Sequence, residues 1–286
     1  MVKKIKSNFK FDFFVILLLI LVGLICLFPL LYVFSVSLTP MSEVFKNGGF
    51  IIIPREITFE AYKSILKQGV MPHSLLVTIT VSLVGTIISM CLTILMAYPL
   101  SKKNLPGRKL LIPFFIFTMM FNGGTIPTYL LVKELGLTGT YWSLILPGAV
   151  STYNALVMKS FFENMPAELF ESAYIDGASE RKILLRIVIP LAKPVLLTVG
   201  LFYLVSYWNT YFPAIMYISD EKMHPLQVVL KKLLMANNTL QNIEAVLPST
   251  TLQMAAVIFS SIPIVVVYPF IQKHFTKGMM LGAVKG

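Results

Sequence analysis

Charge is scarce in this 286-residue chain: Asp, Glu, Lys and Arg make up 13% of it against 56% hydrophobic residues, a balance that rules out an ordinary soluble domain. Cysteine is scarcer still. Cys26 and Cys91 both fall inside apolar stretches, too few for a disulfide framework or a metal site, and are expected as small core residues. His73, His224 and His274 all lie outside those stretches, so no acid, base or histidine within them relays protons. There is no H-E-x-x-H, no G-x-S-x-G and no Cys/His cluster. The best-placed Lys-Ser pair, Lys159 and Ser160, follows Met158 where a phosphate-cradling loop needs glycine. No catalytic role is therefore expected of this chain. No basic stripe with interleaved aromatics appears either, which removes nucleic acid as a partner.

What the chain has is long apolar runs. Six stretches carry no Asp, Glu, Lys or Arg: 13–38, 74–100, 110–132, 141–158, 194–219 and 245–271. Each is long enough to cross a hydrocarbon core of about 30 Å as a helix, the fourth only just. The expected fold is an all-α integral membrane protein with six transmembrane helices, a domain over 13–271 flanked by an amino-terminal segment, 1–12, and a tail, 272–286. Lys3, Lys4, Lys6 and Lys10 before the first run invite a signal-peptide reading. That run is too long, however, and ends in "YVFSVSLTP" without a small-x-small cleavage site, so it is read as a retained helix.

Six spans put both termini on one side. Sixteen of the 24 Lys and Arg fall on the side of the termini and eight opposite. By the positive-inside rule the termini are cytoplasmic, and the net charge of +11 is a topology signal. On the outer side, "PREITFEAYKSIL" predicts a short amphipathic helix capped by Thr58 and running to Leu66, and another starts near Pro225 and ends at Asn237 and Asn238. "SKKNLPGRK", between spans two and three, reads as a solvated basic turn.

The loop 164–193, between spans four and five, is different. In "FFENMPAELFESAYIDGASERKILLRIVIPLAKP", Pro166 suits the first turn of a helix, and Glu168 and Glu171 favour the positive end of its dipole. Leu169, Phe170, Ala173 and Tyr174 share a face in a helix of about eleven residues. Gly177 stops it at positive φ, and Ser179 caps a second helix whose first turn carries Glu180. Pro190 and Pro194 disrupt that helix near the membrane. The first helix has acidic edges and no Lys or Arg, unlike helices that lie on anionic lipid, so it suits a groove on a cytoplasmic protein. Periodicity alone leaves open a packed loop with no special task.

The stretch resembles the EAA loop of ABC importer permeases: Glu171, Ala173, Asp176, Gly177, Ala178, Ile187 and Pro190 match, with Ser172 for the first Ala and Ile189 for Leu as small departures. Residues 123–147, 207–230 and the tail 277–286 resemble the carbohydrate, maltose-type branch of that family. The resemblance implies a permease in the cell membrane of a bacterium, paired with a second permease subunit and fed by an extracytoplasmic sugar-binding protein. It also implies two ATP-binding subunits, which hold the ATP and Mg, with no cofactor in this chain. Leu169, Phe170, Glu171, Ala173, Tyr174, Asp176, Gly177 and Ala178 would form the coupling helix and elbow seated in the ATPase, and Gly282, Lys285 and Gly286 of the tail would reach toward the ATPase.

For a sugar path, span five is the candidate. Tyr203, Tyr207 and Tyr211 repeat at helical spacing with Trp208 and Asn209 beside them, and aromatic faces stack on sugar rings while Asn binds hydroxyls. Membrane-interface anchoring explains the same aromatics. Asn122, near the end of span three, is a further candidate. Two other readings stay open: an ABC permease for a non-sugar solute, and an ion-coupled carrier or structural membrane protein without an ATPase.

Overall fold

The computed structural model describes residues 9–121, 123–236 and 249–283, with side chains beyond Val267 set aside. Among the described residues it contains helices and connecting loops and no β-strand. In chain order the α-helices are α1 Phe9–Ser37, α2 Met41–Lys46, α3 Glu60–Gln68, α4 Val70–Ser101, α5 Arg108–Met120, α6 Thr125–Glu134 and α7 Trp142–Ile145. There follow α8 Thr152–Glu163, α9 Ala167–Ile175, α10 Glu180–Ile183, α11 Ile189–Leu191, α12 Lys193–Trp208, α13 Phe212–Tyr217, α14 Leu226–Met235 and α15 Thr250–Ala283.

Three helical segments are unbroken and apolar enough to cross a membrane: Phe11–Ser37, Val70–Ser101 and Thr250–Val267. Two more candidates are bent pairs, α5 with α6 and Glu180–Leu191 with α12, so among the described residues there are three to five candidate spans by length and composition where the sequence predicts six. The stretch 141–158 departs most. It is helical over α7, passes through a 3-10 turn at Leu146–Gly148, extends at Ser151 and resumes as α8. Pro147 has no N–H to give to the carbonyl of Ser143, and Gly148 adds backbone freedom, so a continuous helix is lost there. Span five is also cut: α12 stops at Trp208, and α13 restarts after Tyr211 with Pro213 in its first turn.

The chain divides into two compact units. One holds residues 1–71 and 230–262. In it α1 is apolar around its whole circumference and exposed along its apolar window, while its carboxyl end is anchored. Val36, Val44 and Ile51 pack with Tyr32 and Met254, and the Tyr32 hydroxyl donates to Gly49 O at 2.8 Å. Helix α3 starts at Glu60, whose N–H is 3.3 Å from Thr58 Oγ1, and ends at Gly69 with φ 75°. It thus starts one residue and ends two residues later than the sequence suggests.

The other unit, residues 72–229 and 263–286, is built on α4. Ser74, Thr78, Ser82, Ser89 and Thr93 form a buried row of small hydroxyl residues on this helix, the composition that lets apolar helices approach closely in a membrane. Thr78 Oγ1 accepts from the Leu226 N–H at 2.8 Å, so α14 begins against that row. Gly85 sits under the Tyr207 ring, where a Cβ would come within 2.8 Å of the ring carbons. Cys26 and Cys91, expected in the core, are both exposed on their helices. A thiol is apolar enough for an outward, lipid-type face, so burial is not needed to explain it.

Candidate functional site

The 164–193 loop folds as helix, glycine elbow, helix. Pro166 is the N-cap of α9, with φ −55° and ψ 130°, one position before the first-turn place expected of it, and the helix runs nine residues, not eleven. At its end the Ala178 N–H donates to Ala173 O at 2.9 Å and the Gly177 N–H to Tyr174 O at 3.0 Å. That pair of bonds closes a helix around one residue in the left-handed region, and Gly177 occupies it at φ 69°. Ser179 precedes the next helix without a side-chain cap bond; its carbonyl takes the Ile183 N–H at 3.0 Å. A π-turn over Leu184–Val188 comes just before Pro190, widening the helix where that ring would strike the carbonyl one turn back. The axis then bends by 82° between Glu180–Leu191 and α12, with Ala192 in the break and Pro194 in the next first turn.

The apolar ridge expected on α9 is partly spent on the chain itself. Ala173 is buried, and Phe170 packs against the same core cluster. Tyr174 donates its hydroxyl to Glu180 Oε1 at 2.5 Å and receives the Lys102 ammonium at 3.0 Å. What faces outward is Ile175, 86% exposed, with Glu168, Glu171 and Asp176 exposed, Tyr174 at 46% and Leu169 at 39%. The outward face thus keeps Leu169 and Tyr174 of the predicted ridge and adds Ile175, among three carboxylates. Ile175 follows Glu168 and Glu171 at i+7 and i+4, the spacing that would have shown it in the sequence.

Behind α9 lies a second cluster. The ammonium of Lys102, one residue past α4, stands over the rings of Phe170 at 4.5 Å, Tyr98 at 4.8 Å and Tyr174 at 5.5 Å. It also pairs with Glu180 at 3.4 Å, and the Tyr98 hydroxyl donates to the same carboxylate. Burial pushes the Lys102 amine down, but the Tyr174 and Tyr98 hydroxyls and the Glu180 charge outweigh it and hold it above the usual lysine range. For Glu180, burial pushes up, and the hydrogen bonds from Tyr174 and Tyr98 with the Lys102 charge bring it below the usual carboxylate range.

Nearby, Arg108 at the start of α5 reaches Glu163 at 2.6 Å, and Lys159 pairs with the same residue. The hydrogen bond from Lys159 holds the Glu163 carboxyl below its usual range, against burial and with help from Arg108. Two cations of the turn read as solvated are thus committed to acidic partners.

The aromatic segment has a different task from the one its spacing suggested. Tyr203 and Tyr207 are 3% and 5% exposed, with no face free to stack on a ligand. Tyr203 Oη lies 2.8 Å from Thr93 Oγ1 and accepts the Ser151 N–H at 3.1 Å. Tyr207 Oη lies 2.8 Å from Ser89 Oγ and donates to Ile145 O at 3.0 Å. The two phenols thus pin α12 to α4 and satisfy backbone groups left open by the broken α7–α8 segment. Trp208 is buried with no hydrogen-bond partner on its indole nitrogen. Asn209 is exposed and bonds back to Val205 O at 2.8 Å. Tyr211 is half-buried at the start of α13, off the α12 axis, so the three tyrosines do not form one continuous helical face. Asn122, Lys285 and Gly286 lie outside the described residues, and Gly282 is in the last turn of α15.

Long apolar helices, with the 164–193 helix–glycine–helix loop between two of the apolar segments, describe a membrane-embedded permease. Residues 89–281 match the binding-protein-dependent transport system inner membrane component family, and the chain belongs to it. Permeases of this family are transport components and not catalysts. The chain is 42% identical to the polygalacturonan/rhamnogalacturonan transport system permease protein YtcP of Bacillus subtilis, over 98% of this chain and 100% of that one. It is 44% identical to Protein LplC of the same organism, over 98% and 97%. Among solved structures it is similar to a chain of a bacterial ABC transporter involved in the import of the acidic polysaccharide alginate, with a TM-score of 0.87 and 32% identity over 96% of this chain and 100% of that one.

Proposed function

We propose that this chain is one of two permease subunits of an ATP-driven importer for carbohydrate, coupled to partner ATPases through α9. The observation that carries the reading is the outward face of α9: Ile175 among Glu168, Glu171 and Asp176, held at a fixed angle by the Gly177 elbow and left uncovered by the chain itself. Docked in a groove, Ile175 would contribute about 1.5–3 kcal/mol by burial and Glu171 a similar amount through one charge-assisted hydrogen bond. ATP and Mg would be bound by the partners. Closure of the ATPases would move α9 as a rigid lever and reorient the spans between two states, with no chemistry in this subunit. The likeness to permeases named for polygalacturonan/rhamnogalacturonan and to an alginate importer supports an oligosaccharide bearing uronic acids as the cargo.

Six crossings follow if the bent pairs and the α7–α8 segment each traverse the bilayer, which puts both termini, α9 and Lys102 on the cytoplasmic side, in keeping with the distribution of Lys and Arg. The tail residues Gly282, Lys285 and Gly286 would then face the ATPases.

The test is gentle purification of the tagged chain from its own membrane, mass spectrometry of what accompanies it, and uptake of labelled trigalacturonate by the recovered complex in vesicles. Recovery of a second permease, an ATPase and a binding protein, with ATP-dependent uptake, is the expected result. A chain that comes alone in several mild detergents and never stimulates ATP hydrolysis would sink the importer reading; a complete complex that takes up only uncharged sugars would sink the uronate one.

A further inference from the structure

We propose that Lys102 is the positioning residue that clamps α9 to α4, so that movement of the docked helix is delivered first to α4 and not along the chain into α12. The proposal rests on the coupling role given to α9 above. Two routes lead from α9 into the membrane. The covalent one passes the Gly177 elbow, the π-turn at Leu184–Val188 and the 82° bend before α12. A rod broken three times transmits rotation poorly, since each break has its own soft dihedrals.

The non-covalent route is short. The Lys102 ammonium touches α9 twice, over the Phe170 ring at 4.5 Å and on the Tyr174 hydroxyl at 3.0 Å. It meets α4 at the Tyr98 ring, 4.8 Å away, and α10 at Glu180, 3.4 Å away. Glu180 in turn receives hydrogen bonds from both Tyr174 and Tyr98, so three helices share one carboxylate and one ammonium. Tyr98 is further held edge-on against Phe162 at the end of α8, 6.4 Å between ring centres. The Lys102 side chain is 28% exposed, which keeps the cation–π contacts from being screened as they would be in open solvent. Coupling between distant sites is carried by such packed networks, and among the described contacts of this one the cation is Lys102.

The clamp is tested in the purified complex with Cys26 and Cys91 replaced and spin labels on Ala167→Cys in α9 and Leu95→Cys in α4, both exposed positions. Distances are measured without nucleotide and with ATP and vanadate, beside ATP hydrolysis and trigalacturonate uptake. The wild type and Lys102→Arg should give one narrow distance distribution in both states. Lys102→Met should broaden it at least twofold without nucleotide and cut uptake about tenfold, while hydrolysis changes less than twofold. Glu180→Gln, nearly isosteric, should broaden it as well, and the double variant should be no broader than the worse single one. A distribution as narrow in Lys102→Met as in the wild type overturns the clamp. If no ATPase accompanies the chain, the importer reading fails instead, and the nucleotide-free widths still decide the clamp.

Discussion

Gly177 is the residue on which the geometry of the loop turns. Its φ of 69° is available to an L side chain only at a cost of about 1–2 kcal/mol, and a Cβ there would meet nothing within 4 Å. Gly177→Val is therefore expected to act through backbone strain and not through a clash: less uptake, with the complex still assembled, as read by co-purification and transport. Unimpaired transport in that variant would mean the elbow tolerates another angle. Glu171→Lys should leave the chain in the membrane at normal amounts and lower uptake at least tenfold, because a charge is reversed on the outward face while no span changes. Membrane abundance by immunoblot together with uptake checks it. At this scale the sequence was informative about Gly177 and Glu171, whose types are dictated by local backbone and charge. It was silent about the contacts of Phe170 and Tyr174: periodicity offers them as docking side chains, and only the structure brings Lys102, 68 and 72 residues away along the chain, against their rings, with Phe170 half-buried and Tyr174 still 46% exposed.

Among the elements, α12 shows what spacing alone leaves undecided. Tyrosines four residues apart on an apolar helix serve equally as a sugar platform or as bolts, and the deciding partners, Ser89, Thr93, Ser151 and Ile145, lie 52 to 118 positions away. Tyr207→Phe discriminates the two. As a bolt it should cost about 0.5–1.5 kcal/mol of stability with KM for uptake unchanged, measured by thermal unfolding and by transport at varied substrate; as a sugar contact it would raise KM and leave unfolding alone. The broken fourth stretch has a similar lesson. Its hydropathy is that of a span, but Pro147 and Gly148 interrupt the hydrogen-bond ladder, and the orphaned Ile145 carbonyl and Ser151 amide are met by phenols of α12. The breakers were visible in the sequence; the rescue was not.

For the molecule as a whole, hydropathy reported the class, because it reflects transfer free energies that each segment carries independently, and the positive-inside rule supplies the orientation proposed above. The orientation makes a direct prediction. Single cysteines placed at Lys103 and at Glu221, in a background without Cys26 and Cys91, should be labelled from opposite faces of sealed inverted vesicles by a membrane-impermeant maleimide, Lys103 from the cytoplasmic face. Labelling of both from one face would overturn the six-span reading. What hydropathy could not report is which apolar surface meets protein. Helix α1 and the outer side of α4 are equally greasy, and only the row of small hydroxyl residues distinguishes the packed side.

That row also sets an order of events during synthesis. Thr78 satisfies its hydroxyl on Ser74 O within its own helix, so α4 can enter lipid with part of its polar load already covered. Tyr203 and Tyr207 of α12 have no such recourse within their helix: their hydroxyls are met by Thr93 and Ser89 of α4 and by the main chain at Ser151 and Ile145. The later helix must therefore find the earlier one waiting. A ribosome-attached chain truncated before α12 leaves α4 complete, whereas an α12 made without α4 would carry two bare phenols into hydrocarbon and be held back at the insertion machinery.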